Sequence, residues 1–209
     1  MSRRANAAKR CLRCRMHAGL CVCALIPRLE TRTRLVLVIH RIENRRTTNT
    51  GRLATECLVN SEVVVRGNRE SPTVPLSLPP ETNVLLLFPF EGAVDIRTFA
   101  DHASPVALVV PDGNWRQASK ARNRVPGLRE ATAVSLPPGP LSDYRLREES
   151  HEERVCTLEA IARALGVLEG AQVQRPLEEA LALMVSRTLH ARDARVGLRP
   201  LGASQRHST

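Results

Sequence analysis

The chain has 209 residues, of which 43% are hydrophobic, and its formal net charge is +10. This length suits one domain with a small appendage, and the core must be largely aliphatic because only three Phe, one Tyr and one Trp are present. No run of about 18 apolar residues occurs and no apolar stretch of the signal-peptide type follows the basic N-terminus, which argues against a transmembrane helix and makes a cytoplasmic protein the expectation.

Positive charge is concentrated in the first quarter of the chain. Residues 1–50 are rich in arginine and contain only two acids, Glu30 and Glu43. The guanidinium group offers a planar set of donors that suits phosphate oxygens and base edges. We therefore favour a nucleic-acid partner over the alternative, a solvated surface that is merely rich in arginine.

The N-terminal region divides into a basic arm, residues 1–10, which we expect to be disordered, and a cysteine-rich segment, residues 11–28. Two closely spaced pairs of thiols lie in this segment: Cys11, Cys14, Cys21 and Cys23. Four thiolates at such spacing suit a tetrahedral structural zinc ion, which can fold a segment too short to bury a core of its own. The alternatives are reduced cysteines without metal and an iron–sulfur cluster, and His17 is interpreted as a bystander.

Three apolar runs are interpreted as strands buried on both faces: 35–39, 84–88 and 106–110. Each run is followed by a polar segment, and these segments begin at His40, Pro89 and Pro111. Ligands bind beyond the carboxyl ends of the strands in an open α/β sheet, so we expect the three segments to form one site. The catalytic domain is assigned to residues 29–199, and residues 200–209 are expected to be a disordered tail.

Helices are predicted between and after these strands. One covers Thr50 to Cys57, with Asn49 or Thr50 as its cap, and a second covers residues 115–124. Apolar residues at helical spacing predict a third helix over residues 158–168. A fourth is predicted to begin at Pro176, since proline suits the first position of a helix.

The Asp112-Gly113-Asn114-Trp115 turn follows the last of the three strands and opens a helix. Aspartate at this place can accept a proton or bind an amine, Gly113 permits close approach of a ligand, and Trp115 can form the wall of an apolar pocket. Each residue also has an ordinary structural explanation, as a turn, a helix cap or a core aromatic residue. The turn alone is therefore a weak signal.

Further segments accompany this turn in the following order along the chain. They are His40-x-x-Glu43-x-x-Arg46-x-Thr48-Asn49-Thr50-Gly51-Arg52-Leu53, Leu87-Phe88-Pro89, Arg116-Gln117-Ala118-x-Lys120, Tyr144-Arg145-Leu146-Arg147 and Thr157-Leu158-Glu159-Ala160. Together with the cysteine quartet, they resemble the DTW-domain family of tRNA-uridine aminocarboxypropyltransferases over roughly residues 11–190. The family pattern is Asp-x-Thr-Trp. Asn114 stands here in place of Thr, and because Asn also forms hydrogen bonds in turns we expect activity to be retained.

The resemblance implies a SPOUT-like, parallel-sheet α/β fold with a C-terminal knot and an N-terminal zinc knuckle. It also implies transfer of the 3-amino-3-carboxypropyl (acp) group of S-adenosylmethionine to N3 of a tRNA uridine, which yields acp3U and methylthioadenosine. Arg147 would hold the carboxylate of S-adenosylmethionine, and Glu159 or Asp112 its ammonium group. The full set of residues expected to bind this cofactor is Phe88, Pro89, Asp112, Trp115, Tyr144, Arg147, Thr157 and Glu159.

Uridine N3 must lose its proton to become a nucleophile, and Asp112 is the candidate general base because it lies at a strand end beside the expected cofactor. The sulfonium is already an activated leaving group, so the remaining task is to position the reacting carbon. The residues expected on the RNA side are His40, Glu43, Arg46, Asn49, Arg52, Arg116 and Lys120. Arg46 would bind phosphate, Asn49 would contact a base edge or cap a helix, and a structural role is preferred for His40.

Two other functions fit the same residues. One is a SPOUT-like RNA methyltransferase that uses S-adenosylmethionine in a similar cleft. The other is a zinc-dependent RNA-binding protein without catalysis. The partners are expected to be tRNA and S-adenosylmethionine, and the oligomeric state is left open with a monomer preferred.

Overall fold

A computed structural model describes residues 10–68, 70, 72–101, 103–140, 142, 144 and 155–197, with side chains to residue 191 in the last helix. Its strands are β1 Arg34–His40, β2 Ser61–Arg66, β3 Asn83–Leu87, β4 Val94–Asp95, β5 Val106–Asp112 and β6 Thr132–Ser135. They form one sheet in the order β2-β1-β5-β3-β6-β4, and every strand pair in it is parallel. The predicted parallel α/β fold is therefore confirmed.

The three predicted strands correspond to β1, β3 and β5. The end of β5 differs from the prediction, because Pro111 and Asp112 continue the strand opposite Val38 and Ile39 of β1. All seven residues of β5 are buried between β1 and β3, so the polar Asp112 is carried into the sheet before the chain turns. Sequence patterns did not predict β2, β4 and β6, since β2 is a partly exposed edge strand and the other two are short.

The α-helices are α1 Thr50–Cys57, α2 Trp115–Ser119, α3 Ala121–Arg124, α4 Thr157–Leu168 and α5 Ala171–Gly197. The predicted helix over residues 115–124 is in fact two short helices separated at Lys120. The prediction that the last helix begins at Pro176 is wrong, because α5 begins at Ala171 and contains Pro176 in its second turn. Val173 is buried one turn before Leu177, so packing extends the helix past the proline at the cost of a backbone hydrogen bond. In the part of the chain covered by the model, no helix is long and apolar enough to cross a membrane.

The sheet is covered on both faces. Side chains such as Leu35, Leu37 and Leu108 pack in one core cluster with residues of α1, α4 and α5, and the alternate side chains form a second cluster with residues such as Ala121 and Val125. The first cluster also includes buried residues of the cysteine-rich segment, Met16, Val22 and Ile26 among them. Residues 11–28 are thus packed into the core of the larger domain.

Parallel strands bring the loops after β1, β3, β5 and β6 to one edge of the sheet, as the sequence predicted for the first three. The carboxyl ends of β1 and β5 lie side by side, because Ile39 is paired opposite Asp112. The path from β6 to α4 passes partly through residues outside the described part of the chain, and the C-terminal knot stays a prediction.

Candidate functional site at the carboxyl edge of the sheet

Asp112 ends β5 at the centre of this edge and is 6% exposed. Both of its carboxylate oxygens accept hydrogen bonds. The Asn49 side-chain amide donates to Oδ2 over 2.5 Å, and Thr157 Oγ1 donates to Oδ1 over 2.7 Å. These donors fix the orientation of the carboxylate, and each oxygen keeps a lone pair for a further donor from a ligand.

Both donors come from the beginnings of helices. Asn49 is the N-cap of α1, where its Oδ1 accepts a hydrogen bond from the Arg52 backbone N–H over 2.8 Å. Its amide nitrogen is left free to donate to Asp112, so of the two roles predicted for Asn49 the structure has the capping role. Thr157 is the first residue of α4.

The two helices lie close together because Gly51 has no side chain. A Cβ atom at this position would lie 2.8 Å from Leu37 Cδ1 and 3.1 Å from Thr157 Cγ2. The Leu158 backbone N–H donates to Thr50 Oγ1 over 3.4 Å and joins the two N-termini directly. This close approach is what allows Thr157 to reach Asp112 from the α4 side.

An apolar pocket of about 290 Å³ lies on one side of the Asp112 turn. Among the residues that line it are Phe88, Pro89, Trp115, Ala118 and Leu136. The rings of Phe88 and Trp115 meet edge-on with their centroids 5.0 Å apart. A pocket with apolar and aromatic walls suits a flat heterocyclic group.

A polar pocket of about 480 Å³ lies on the other side of the turn. Polar and charged groups converge on it: Glu43, Arg46, Asn49, Asp112, Arg116, Tyr144 and Cys156. Glu43 and Arg46 form an ion pair of 3.1 Å, and the Tyr144 hydroxyl donates to the Thr48 carbonyl over 3.3 Å. Burial raises the pKa of Cys156 to about 12, so this thiol is protonated at neutral pH and is a poor nucleophile.

The two pockets adjoin, because Gly113, Trp115, Val155 and Thr157 line both of them. A ligand with an apolar heterocycle at one end and charged groups at the other could occupy both. Sequence reasoning did not identify Val155 or Leu136, and it named Ala118 in a motif without assigning it a role at the site. Ala118 lies three residues after Trp115 on α2 and could have been found from helical spacing, whereas Leu136 follows β6, a strand that was not predicted.

A network of hydrogen bonds holds the turn after Asp112. Asn114 caps α2 by accepting from the Gln117 backbone N–H over 2.8 Å, and the Gln117 side chain accepts from the Asn114 backbone N–H over 3.0 Å. The Gln117 amide also lies 3.2 Å from His40 Nδ1, and Arg66 donates to the Gln117 carbonyl. Burial, reinforced by the charges of Arg66 and Arg41, lowers the pKa of His40. His40 therefore contacts the turn through Gln117, and it is not among the residues that line the two pockets.

Three other predicted site residues line neither pocket. Glu159 is buried beneath the start of α4, where it accepts hydrogen bonds from the Cys156 backbone N–H over 2.7 Å and from Ser142 Oγ over 2.6 Å. Arg52 lies on α1 and lines neither pocket, and Lys120 is exposed at the junction of α2 and α3. Of the two acids predicted to meet the ammonium group, only Asp112 lines the polar pocket. Arg147 lies outside the described residues.

The cysteine quartet is brought together as predicted. The four Sγ atoms lie within 4.8 Å of one another, with 3.5 Å between those of Cys11 and Cys23 and 3.8 Å between those of Cys14 and Cys21. Burial alone would raise the pKa of Cys11, but hydrogen bonds from the Cys14 and Arg13 backbone and from neighbouring thiols lower it to about 6. Such a cluster of four sulfur ligands is able to hold a metal ion.

Comparison with known proteins finds similar chains. The chain is 28% identical to tRNA-uridine aminocarboxypropyltransferase 2 of Drosophila melanogaster over 78% of this chain and 68% of that protein. It is 29% identical to tRNA-uridine aminocarboxypropyltransferase A of Arabidopsis thaliana over 84% of this chain and 79% of that protein. A remote likeness, with 14% identity and a TM-score of 0.42, links it to the SAM-dependent rRNA:acp-transferase Tsr3 of Vulcanisaeta distributa over 78% of this chain and 81% of that one. The model of the DTW domain matches residues 8–189, and the chain therefore belongs to the DTW-domain family.

Proposed function

We propose that this protein transfers the acp group of S-adenosylmethionine to N3 of a uridine in tRNA. The observation that carries the proposal is the meeting of an apolar and a polar pocket at the turn that follows Asp112. S-adenosylmethionine has the same division into a heterocyclic and a charged end. The relatives from D. melanogaster and A. thaliana are named tRNA-uridine aminocarboxypropyltransferases.

In the proposed arrangement the adenosine end occupies the apolar pocket, against Phe88, Pro89 and Trp115. The aminocarboxypropyl end reaches past Thr157 into the polar pocket. Arg116 lines this pocket and forms no ion pair with any of the described residues, so it is available to the substrate carboxylate or to an RNA phosphate. The target uridine enters from the polar side and must be unpaired or extruded, since N3 is otherwise hidden in a base pair.

The proposed reaction is a single displacement. The N3 proton passes to the Asp112 carboxylate, and the N3 lone pair forms a bond to the γ-carbon of the methionine portion of S-adenosylmethionine. The bond between this carbon and sulfur breaks, and its electron pair returns to the sulfonium to give methylthioadenosine. Because the leaving group is already activated, the protein mainly accepts the proton and selects which carbon faces N3.

We also propose that the cysteine quartet binds a structural zinc ion. Zinc–sulfur bonds of about 2.3 Å in a tetrahedron place the sulfur atoms roughly 3.8 Å apart. The two measured pairs, at 3.5 and 3.8 Å, fit this spacing. Thiols kept reduced for zinc suit the cytoplasm, which we propose as the site of action.

The test is to incubate the protein with tRNA and S-adenosylmethionine and to analyse the nucleosides by mass spectrometry. We expect acp3U and an equal amount of methylthioadenosine. Appearance of a methylated nucleoside with S-adenosylhomocysteine would show a methyltransferase instead, and tRNA binding without any modified nucleoside would show a binding protein.

The Asp112→Asn variant tests the role of the carboxylate. We expect the rate of acp3U formation to fall by at least 10²-fold, on the order of the contribution of a general base, with binding of both substrates retained. Equilibrium binding of tRNA and of S-adenosylmethionine serves as the control. A variant that still forms acp3U at the wild-type rate would remove Asp112 from the proposed step.

A further inference from the structure

Arginine side chains attach the cysteine-rich segment, residues 11–28, to α1 and to the loop that follows β1. Arg13 forms an ion pair of 3.2 Å with Glu56 of α1. Arg15 donates from Nη1 to the carbonyl and to the side-chain oxygen of Asn44, in the loop that follows β1. Asn44 is next to Glu43, which lines the polar pocket. The segment thus reaches the rim of the site.

Arg52 lies at the same seam, in the first turn of α1. Its backbone N–H is bound to the Asn49 side chain, which in turn holds Asp112. Its side chain is half-buried, and its Nε atom is buried without a hydrogen-bond partner in the described structure. Burial and then the positive charge of the nearby Arg15 lower the pKa of Arg52, while Glu56 acts in the opposite sense.

The acids at this seam are already paired with other arginines. Glu56 pairs with Arg13, and Glu43 pairs with Arg46. Neither Arg15 nor Arg52 has a carboxylate within ion-pair distance in the described part of the chain. Arg13 pairs with Glu56, which lies one turn after Arg52 on the same face of α1, so this contact brings the segment that bears Arg15 to Arg52. Two neighbouring guanidinium groups that share no anion repel each other, and an anion placed between them would offset this repulsion.

We propose that Arg15 and Arg52 together bind one phosphate group of the RNA backbone next to the target uridine. This inference rests on the proposed function. Guanidinium groups present paired N–H donors that match phosphate oxygens, and the seam borders the pocket where the base would enter. The phosphate site is composite, since one arginine comes from the cysteine-rich segment and the other from α1. The segment would then contribute one of the two arginines of this phosphate site.

The experiment measures tRNA affinity of the full chain as a function of salt for Arg15→Gln, Arg52→Gln and the double variant. We expect each single variant to weaken binding by roughly tenfold, as loss of a charge-assisted hydrogen bond does. Each should also reduce the slope of log affinity against log salt by up to about one, the value for one phosphate contact. The double variant should lose much less than the product of the two single losses, because both side chains hold the same phosphate.

The matched control is Arg32→Gln, which removes one exposed arginine charge, paired with Glu169, just before β1 at the opposite edge of the sheet. It should leave tRNA affinity and the salt slope unchanged. Binding of S-adenosylmethionine and the melting temperature report whether the fold is intact, and Arg52→Lys should recover part of the affinity because it restores the charge.

Three outcomes would overturn the inference: independent, multiplicative losses in the double variant, an unchanged salt slope in either single variant, or an equal loss in Arg32→Gln. These outcomes are separate from the proposed reaction. If the wild-type protein binds tRNA but forms no acp3U, the proposed function fails and the binding measurements still decide whether Arg15 and Arg52 share a phosphate.

Discussion

Asp112 illustrates how much of the site depends on single hydrogen bonds. Its carboxylate is buried at the end of a central strand, and its orientation is set by one donor on each oxygen. The sequence analysis singled out all three residues. It assigned Asp112 to the base and the cofactor, Asn49 to the RNA side or a helix cap, and Thr157 to the cofactor. Their mutual contact was not predictable, because Asn49 and Thr157 are 108 residues apart and meet only when α1 and α4 pack together.

The Thr157→Val variant tests the donor on the α4 side. Valine keeps the shape of threonine and removes the hydroxyl, so one carboxylate oxygen loses its partner and the orienting contact. Hydrogen bonds to charged groups contribute about 1.5–3 kcal/mol, and we expect the rate of transfer to fall by roughly 10- to 100-fold. Single-turnover kinetics would measure this rate. The Thr157→Ser control keeps the hydroxyl and should retain most of it, and equal losses in the two variants would contradict the hydrogen-bond explanation.

The lowered pKa of His40 leads us to expect that the stability of the protein depends on pH. Because burial and the nearby arginines lower its pKa in the folded protein, the folded state binds this proton less readily than the unfolded state. Its contribution is fully present above the unfolded pKa of about 6.5 and is lost as pH falls through the folded value. Urea unfolding from pH 7.5 to 5 should show a steeper loss for the wild type than for His40→Gln. Parallel curves would exclude His40 as a source of the slope.

The position at which this chain departs from the family pattern lies at the start of the helix α2. Asn114 is its N-cap, and the side chain accepts from the Gln117 backbone N–H while Gln117 completes the capping box. Threonine, which the family has at this position, can accept the same hydrogen bond. The departure therefore exchanges one capping residue for another and leaves the Asp and Trp of the motif in place.

This interpretation is tested with Asn114→Thr and Asn114→Ala. We expect the threonine variant to keep both stability and transfer activity. The alanine variant should lose about 1 kcal/mol of unfolding free energy, the usual effect of removing a cap, and should transfer more slowly because the turn that bears Trp115 is less well held. Chemical denaturation and initial rates would measure the two effects. A threonine variant as impaired as alanine would show that Asn114 has a role beyond capping.

Elements with strong local signals were predictable and the others were not. The long aliphatic runs of β1, β3 and β5 and the apolar spacing of α4 carry their own pattern. β2 has charged residues at its ends, and β6 is four residues long, so each becomes a strand only by pairing with a neighbour. The pocket residues that follow β6 were missed for the same reason.

At the scale of the whole molecule, the cysteine-rich segment and the larger domain share one core. Met16 and Val22 are buried in the same cluster as the strands and α4, and Arg187 of α5 donates to the Cys21 carbonyl. Metal binding in the segment is therefore expected to stabilise the entire protein.

The Cys14→Ser variant should lose the metal and unfold at a lower temperature. Exposure of two buried aliphatic side chains would cost on the order of 3 kcal/mol or more. Metal analysis together with calorimetry would record both changes. His17→Ala is the control, because His17 is exposed and its Nδ1 accepts from the Gly19 backbone N–H. An unchanged melting temperature in Cys14→Ser would show that the stability of the larger domain does not depend on the cysteine-rich segment. Metal loss in His17→Ala would show that His17 is a ligand.

Asn49 meets two demands with one side chain. As the N-cap of α1 it has several acceptable substitutes, since Ser, Thr and Asp cap helices comparably. None of these offers an amide donor to Asp112, and Asp would place a second negative charge beside it. A library randomised at this position should consequently return a mixture when it is selected for folding and Asn alone when it is selected for transfer. The difference between the two selections would show which requirement at this position comes from catalysis and which comes from folding.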